Sequence, residues 1–98
     1  MLKHIVMWKL KNENRESNAE KIKDILENLK KDIEDIVEIK VYINCYVETG
    51  ENSYDVLLDS DFNDAEGLNR YQNHPSHIVA KDFIVKVVEK RSVIDYYR

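Results

Sequence analysis

The segment YQNHPSH, residues 71–77, concentrates side chains that could do chemistry. It holds Tyr71, two of the three histidines of the chain and its only proline. A neutral imidazole can accept a proton near neutral pH, and a phenol can donate a hydrogen bond to a developing oxyanion. Tyr71 and His77 together would therefore suit general acid–base catalysis. The alternative is a turn between two helices, in which these groups only hydrogen-bond each other or the backbone.

The proline indicates that one helix ends and another begins within this segment. The residue before a proline is disfavoured in the α region, so the first helix ends near His74, and Pro75 suits the first turn of the next. His77 then lies in that first turn, where unpaired N–H groups and the helix dipole disfavour imidazolium. Tyr71 follows Leu68 by three residues and shares its inward stripe. We expect a neutral, inward-facing His77 with a lowered pKa beside Tyr71.

Other residues are candidates for a pocket around this pair. Alternation in the first strand places His4, Val6 and Trp8 on one face. That face either packs toward the helices or leaves His4 at a frayed strand edge. Together with Leu68 and His74, these residues form a candidate site for a small apolar or aromatic ligand. No element carries histidines spaced as HxH or HxxxH, so we expect no metal.

Periodicity and turn signals divide the chain into seven elements. Ser17 and Glu20 match a capping box before an apolar helical stripe, and Asn63 with Glu66 offers a second helix start. Alternation with a period of two marks the strands. The predicted elements are a strand over 4–10, a helix over 18–33, strands over 37–47 and 54–62, a short helix after Asn63, a helix from Pro75, and a strand over 91–97.

This order predicts the α+β class with a ferredoxin-like plan, a four-stranded antiparallel sheet with helices on one face. The second strand has one apolar face, formed by Val37, Ile39, Val41, Ile43, Cys45 and Val47. Cys45 is expected to pack there as a small hydrophobic residue. The sheet face opposite the helices carries Ile5, Met7 and Leu57, which need cover in so small a domain. We therefore expect a homodimer that buries this face.

Charge and length exclude several classes of function. The chain of 98 residues is predicted to be one domain, with a formal net charge of −4 and a pI near 5.3. Lysines alternate with acidic residues and form no basic patch, so we expect no nucleic-acid partner. The apolar run at the N-terminus is too short for a signal peptide or a membrane span. A single cysteine excludes an intrachain disulfide, and the cytoplasm is the expected location.

Three segments, KHIVMWKLK at the start, YQNHPSH, and VIDYY near the end, resemble the stress-responsive A/B barrel (Dabb) family over nearly the whole chain. Membership would imply a dimeric α+β barrel. The family includes a plant polyketide cyclase that works without metal or organic cofactor. Its pattern implies a catalytic Tyr71 and His77 and a pocket residue at His4. The implied reaction is an intramolecular aldol condensation, with His77 as the base and Tyr71 bonded to the enolate oxygen.

Two positions depart from the cyclase. Asp55 stands where its third strand has a pocket histidine, and Ile25 and Leu26 stand where its first helix has a tyrosine. Two functions therefore remain open. One is a homodimeric stress-response or small-ligand-binding domain, and the other is a cofactor-independent cyclase, isomerase or monooxygenase. A Tyr71–His77 pair that opens onto a cavity would favour the enzyme, whereas a filled interior would favour a binding or structural role.

Overall fold

The computed structural model describes residues 1–45 and 52–98, and this part of the chain contains four strands and three helices. In chain order they are β1 (Leu2–Leu10), α1 (Arg15–Asp32), β2 (Ile36–Ile43), β3 (Val56–Phe62), α2 (Ala65–Asn73), α3 (Pro75–Val87) and β4 (Val88–Tyr97). None of the helices within the described ranges is long and apolar enough to cross a membrane.

The strands form one antiparallel sheet in the order β2-β3-β1-β4. β1 lies in the interior of the sheet between β3 and β4, and β2 pairs with the other side of β3. The helices pack on one face of this sheet and bury a single core between the two layers. This is the ferredoxin-like arrangement, and the predicted α+β class is confirmed.

Burial alternates along the whole of β1, with every second residue buried from Leu2 to Leu10. His4, Val6 and Trp8 share one face, as the alternation predicted. The structure shows that this is the helix-covered face, and none of the three residues is more than 5% exposed. A frayed edge position for His4 is therefore excluded. β1 carries an imidazole into the core of the domain.

The opposite sheet face, which we call the open face, has no helix over it in the described part of the chain. Ile5, Met7 and Leu57 lie on this face and are half-buried. Ile94 pairs with Ile5 across the sheet and therefore points to the same side. Its side chain is 61% exposed, so the open face presents apolar surface to its surroundings.

β2 differs from its prediction in length and in alternation. The structure places it over Ile36–Ile43, with a shift of register against β3 between Ile36 and Glu38. Such a bulge reverses the alternation locally, so Ile36 is buried and Val37 is exposed. The prediction that Val37 shares the buried face is wrong. Cys45 lies beyond the end of the strand and is exposed, so its predicted packing is also wrong. The predicted strand residues 46 and 47 lie outside the described residues.

The predicted capping box at Ser17 and Glu20 does not start α1. The helix begins at Arg15, and its N-cap is Asn14, with φ of 54° and no side-chain hydrogen bond to the helix. Asparagine adopts this left-handed conformation more readily than most residues. The Ser17 hydroxyl lies inside the first turn and donates to the Asn14 carbonyl at 3.1 Å.

The start of α2 is displaced by one residue from its prediction. Asp64, and not Asn63, is the N-cap. Its carboxylate accepts a hydrogen bond from the Gly67 backbone N–H at 2.8 Å, which satisfies one of the unpaired donors at a helix start. Leu68 and Tyr71 are both buried on the inner side of this helix, as predicted.

Candidate functional site

A cavity of about 440 Å³ lies between the helix-covered face of the sheet and the helices above it. β1, β3 and β4 supply its floor, and all three helices contribute to its walls. Its lining residues are His4, Val6, Trp8, Leu26, Leu58, Tyr71, Gln72, Asn73, His77, Lys81, Ile84, Val85 and Arg91. The inner members are buried apolar and aromatic side chains, whereas Gln72, Asn73, Lys81, Val85 and Arg91 are exposed. The cavity therefore runs from the core to the surface.

The junction of α2 and α3 places the two histidines of the YQNHPSH segment in different roles. His74 is the N-cap of α3, in extended conformation, and Pro75 occupies the first helical position. The Nδ1 atom of His74 accepts the backbone N–H of Ser76 at 3.1 Å. This capping bond holds the His74 side chain at the helix start, outside the cavity lining. His77 lies in the first turn of α3, as predicted.

Tyr71 is packed by aromatic neighbours and is 1% exposed. Its ring centroid lies 4.6 Å from that of His77 and 4.9 Å from that of Phe62. Burial raises the pKa of Tyr71 well above its usual value, and the nearby charge of Arg91 only partly opposes this. The phenol is therefore protonated at neutral pH. Within the described ranges it makes no hydrogen bond, so its hydroxyl remains available as a donor.

His77 has the electrostatics of a neutral imidazole. Burial lowers its pKa, the Lys81 ammonium acts in the same direction, and a polar contact with the Gln72 backbone opposes them. Its Nδ1 atom is buried and makes no hydrogen bond with any described residue. A buried ring nitrogen without a partner is uncommon, since most buried polar atoms are paired. Because His77 lines the cavity, its neutral ring can exchange a proton or a hydrogen bond with a molecule bound there.

His4 approaches the same space from the sheet. Its ring centroid lies 6.4 Å from that of Tyr71. The strand register sets His4 opposite Asp95, and the His4 Nδ1 atom contacts the Asp95 carboxylate at 2.5 Å. A carboxylate accepts from the Nδ1–H group and so leaves Nε2 as the accepting nitrogen of a neutral ring. Asp95 thereby fixes the orientation and tautomer of His4.

The structure gathers most of the predicted site residues around one cavity and leaves two outside it. His4, Val6, Trp8, Tyr71 and His77 line it. Leu68 does not, because it packs in the buried apolar core, and His74 caps α3. Asp55, the position of a cyclase histidine, is also elsewhere, since its carboxylate accepts the Leu10 backbone N–H at 2.7 Å.

Three charged residues near the cavity escaped sequence reasoning. Asp95 belongs to the VIDYY segment and interrupts an apolar run, which is a weak signal for a special role. Lys81 and Arg91 resemble any other surface cation in the sequence. They line the same cavity because α3 and β4 both border it. No short-range sequence pattern predicts that these two elements border one cavity.

Metal ligands are not clustered in the described part of the chain. No group of three histidine, cysteine, aspartate or glutamate side chains there is placed to hold an ion. The sequence-based expectation that the site works without metal or cofactor stays a prediction.

Comparisons with known proteins agree with this fold. A dimeric protein of unknown function with a ferredoxin-like fold from Bacteroides fragilis is 28% identical, with 99% of this chain and 95% of that chain covered and a TM-score of 0.87. A Dabb family protein from Mesorhizobium loti is 21% identical, with 99% and 95% covered and a TM-score of 0.79. Hydroxynitrile lyase from Passiflora edulis is 18% identical, with 97% and 90% covered and a TM-score of 0.83. These last two identities show the fold alone.

No curated protein matches the chain. The model of the stress responsive A/B barrel domain, in contrast, matches residues 2–98. The match extends over nearly the whole sequence and includes the segments at residues 3–11, 71–77 and 93–97 that resemble the family. The chain therefore belongs to the stress responsive A/B barrel domain (Dabb) family.

Proposed function

We propose that this chain binds a small apolar or aromatic molecule in the cavity between the sheet and the helices. The observation that carries the proposal is a cavity of about 440 Å³ that combines an apolar wall with three inward polar groups, on His4, Tyr71 and His77. Ligand sites commonly have volumes of about 300–1,000 Å³, with mostly apolar linings and a few placed polar groups. An interior filled by side chains would instead have favoured a purely structural role for the YQNHPSH segment.

Binding can be followed through the single tryptophan of the chain. Trp8 lines the cavity and is 5% exposed, so a bound aromatic molecule changes its emission. We expect a saturable change when the neutral probe 4-butylbenzamide is added. Ile84→Phe narrows the cavity and should weaken the response, while Val79→Phe adds the same ring at an exposed position of α3 and should not. A response that is equal in both variants would refute binding in this cavity.

We propose further that the protein acts as a homodimer, a dimeric α+β barrel in which two open faces pack together. Ile94, Tyr42 and Tyr96 expose 61%, 55% and 44% of their surface, which is a large apolar surface for a monomer. The related protein from Bacteroides fragilis, at 28% identity, is dimeric. Sedimentation should give twice the chain mass of 11.6 kDa. Ile94→Asp should shift the protein toward monomer and Val79→Asp should not; a wild-type monomer at micromolar concentration would refute the dimer.

Acid–base catalysis is the second candidate function, favoured by the pairing of a neutral His77 with a protonated Tyr71. His77 would take a proton from a carbon next to a carbonyl group, and Tyr71 would donate a hydrogen bond to the enolate oxygen that forms. The buried His4 offers another imidazole, held by Asp95 at 2.5 Å. These groups suit proton abstraction from a ketide-like or aromatic ketone without a cofactor.

Deuterium exchange tests this second candidate without knowledge of the natural substrate. In D₂O, the acetyl methyl protons of 4-methylacetophenone should exchange for deuterium faster when the protein is present than in buffer alone. His77→Gln should reduce the enzymatic part of this rate by roughly 10²–10⁴, the usual contribution of a general base. His74→Gln, outside the cavity, is the matched control and should retain the rate. Exchange no faster than in buffer, or an unaffected His77→Gln variant, would exclude the acid–base role.

A further inference from the structure

Two cationic side chains stand where the cavity meets the surface. Lys81, on α3, and Arg91, on β4, both line the cavity and are both exposed. The lining contains no carboxylate. The Asp95 carboxylate contacts the His4 ring and lies outside the lining. The cavity mouth is therefore positive in a chain whose formal net charge is −4.

Neither cation is neutralised within the described ranges. Other basic residues there do form ion pairs, such as Lys3 with Asp59 at 2.6 Å and Arg70 with Asp35 at 2.9 Å. Lys81 and Arg91 make no such pair with a described residue. Lys81 and Arg91 differ from surface lysines elsewhere on the protein because both line the same cavity.

The positive charge reaches the interior of the site. Lys81 and Arg91 both add to the lowering of the His77 pKa, after the larger effect of burial. Arg91 also acts on the pKa of Tyr71, against the effect of burial. A cleft with walls of low polarity focuses such fields onto a bound molecule. The two cations therefore favour negative charge on a ligand that enters between them.

We infer that the natural ligand is a small organic acid, with an apolar or aromatic body inside the cavity and a carboxylate at the mouth between Arg91 and Lys81. The planar guanidinium of arginine binds carboxylates through two parallel hydrogen bonds, and lysine adds a mobile point charge. The apolar body contacts Trp8 and Leu58, close to the Tyr71 and His77 rings. This inference rests on the proposed ligand-binding function and gives it a substrate class.

Two probes of the same shape but different charge separate the contribution of ligand charge to affinity from that of ligand shape. We would titrate the full-length protein with 4-butylbenzoate and with 4-butylbenzamide, using Trp8 emission and calorimetry. The benzoate should bind about tenfold more tightly, which corresponds to about 1.4 kcal/mol. The double variant Arg91→Gln with Lys81→Gln should lose this advantage, so that the benzoate and the benzamide bind with affinities within about twofold of each other. Lys86→Gln, on the same helix but outside the lining, is the matched control.

The outcomes distinguish the two proposals. Equal affinities for both probes in the wild-type protein would overturn the carboxylate inference and leave the ligand-binding function standing. A preference for benzoate that survives in the double variant would also overturn it, because the charge would then be recognised elsewhere. If neither probe binds, both proposals fail. Circular dichroism of the variants, all at exposed positions, checks that each is folded.

Discussion

Replacing Tyr71 by phenylalanine should separate the packing of its ring from the role of its hydroxyl. The ring is in contact with the rings of Phe62 and His77, at centroid distances of 4.9 and 4.6 Å. The hydroxyl makes no hydrogen bond in the described part of the chain. An intramolecular hydrogen bond typically contributes about 0.5–1.5 kcal/mol. Since none is lost, we expect Tyr71→Phe to change the free energy of unfolding by less than about 0.5 kcal/mol.

Removing the ring should have a much larger effect. Tyr71 is 1% exposed, and truncation of a buried aromatic residue to alanine costs about 3–5 kcal/mol. In a domain of this size, 1 kcal/mol shifts the melting temperature by roughly 4–8 °C. Tyr71→Phe should therefore leave the Tm within about 4 °C of wild type, and Tyr71→Ala should lower it by about 12 °C or more.

The hydroxyl should matter for the ligand instead. We expect Tyr71→Phe to weaken binding of 4-butylbenzamide by about two- to tenfold, the effect of one hydrogen bond to the bound molecule. Urea denaturation and Trp8 emission give stability and affinity on the same samples. A loss of more than about 1.5 kcal/mol of stability in Tyr71→Phe, with unchanged affinity, would refute the reasoning and assign the hydroxyl to the structure of the core.

Three other variants test the helix cap, the imidazole and its carboxylate. Asp64→Ala should lower the free energy of unfolding, measured by urea denaturation, by about 1 kcal/mol because it removes the cap of α2. Asn63→Ala should leave it almost unchanged. Equal losses in the two variants would contradict the assigned cap. The His77 pKa is lowered in the folded protein, so its contribution to stability is present above about pH 6.5 and is lost as the pH falls below that. The stability of His77→Gln should therefore decrease less steeply than that of wild type between pH 7 and pH 5, with a difference in slope of at most about 1.4 kcal/mol per pH unit. Equal slopes in wild type and His77→Gln would show that His77 titrates normally. Asp95→Ala should lower the free energy of unfolding by about 1–3 kcal/mol because it leaves the His4 Nδ1–H buried without an acceptor. Asp95→Asn keeps an acceptor and should lower it by less than half of that. A larger loss in Asp95→Asn than in Asp95→Ala would exclude the contact.

The layout of the fold follows from the alternation and the breaks in the sequence. Alternation in β1 predicted that His4, Val6 and Trp8 share one face and that Ile5 and Met7 lie on the other, and the structure shows which of these two faces the helices cover. Pro75 marked the α2–α3 junction because the residue before a proline avoids the helical region. These signals depend only on local geometry, so they survive in the folded protein.

The helix starts were harder to predict because several capping residues stand side by side. KNENRES offers Asn12, Asn14 and Ser17 as possible caps, and NDAE offers Asn63 and Asp64. Residue type alone does not rank neighbours of similar capping preference. The choice depends on where the backbone leaves the preceding element. The bulge in β2 was also hidden from the local pattern. The pairing of β2 with β3 determines which residues of β2 face the core, and it leaves Val37 exposed.

The candidate site was only half accessible from the sequence. The spacing within YQNHPSH placed Tyr71 near the end of one helix and His77 in the first turn of the next. The contact of His4 with Asp95 joins residues at opposite ends of the chain through the sheet register. The presence of Lys81 and Arg91 in one cavity lining likewise depends on how α3 packs against the sheet. Such contacts arise from tertiary structure, and the local patterns of a single sequence do not predict them.

The three histidines provide the most direct test of the cavity as a ligand site. His4 and His77 line it, and His74 caps α3 outside it. We would follow the imidazole signals of all three by NMR while adding 4-butylbenzamide. Binding in the cavity predicts saturable shifts of His4 and His77 at one molecule per subunit, with His74 nearly unchanged. No shift up to the solubility limit, or an equal shift of all three signals, would contradict the proposed site.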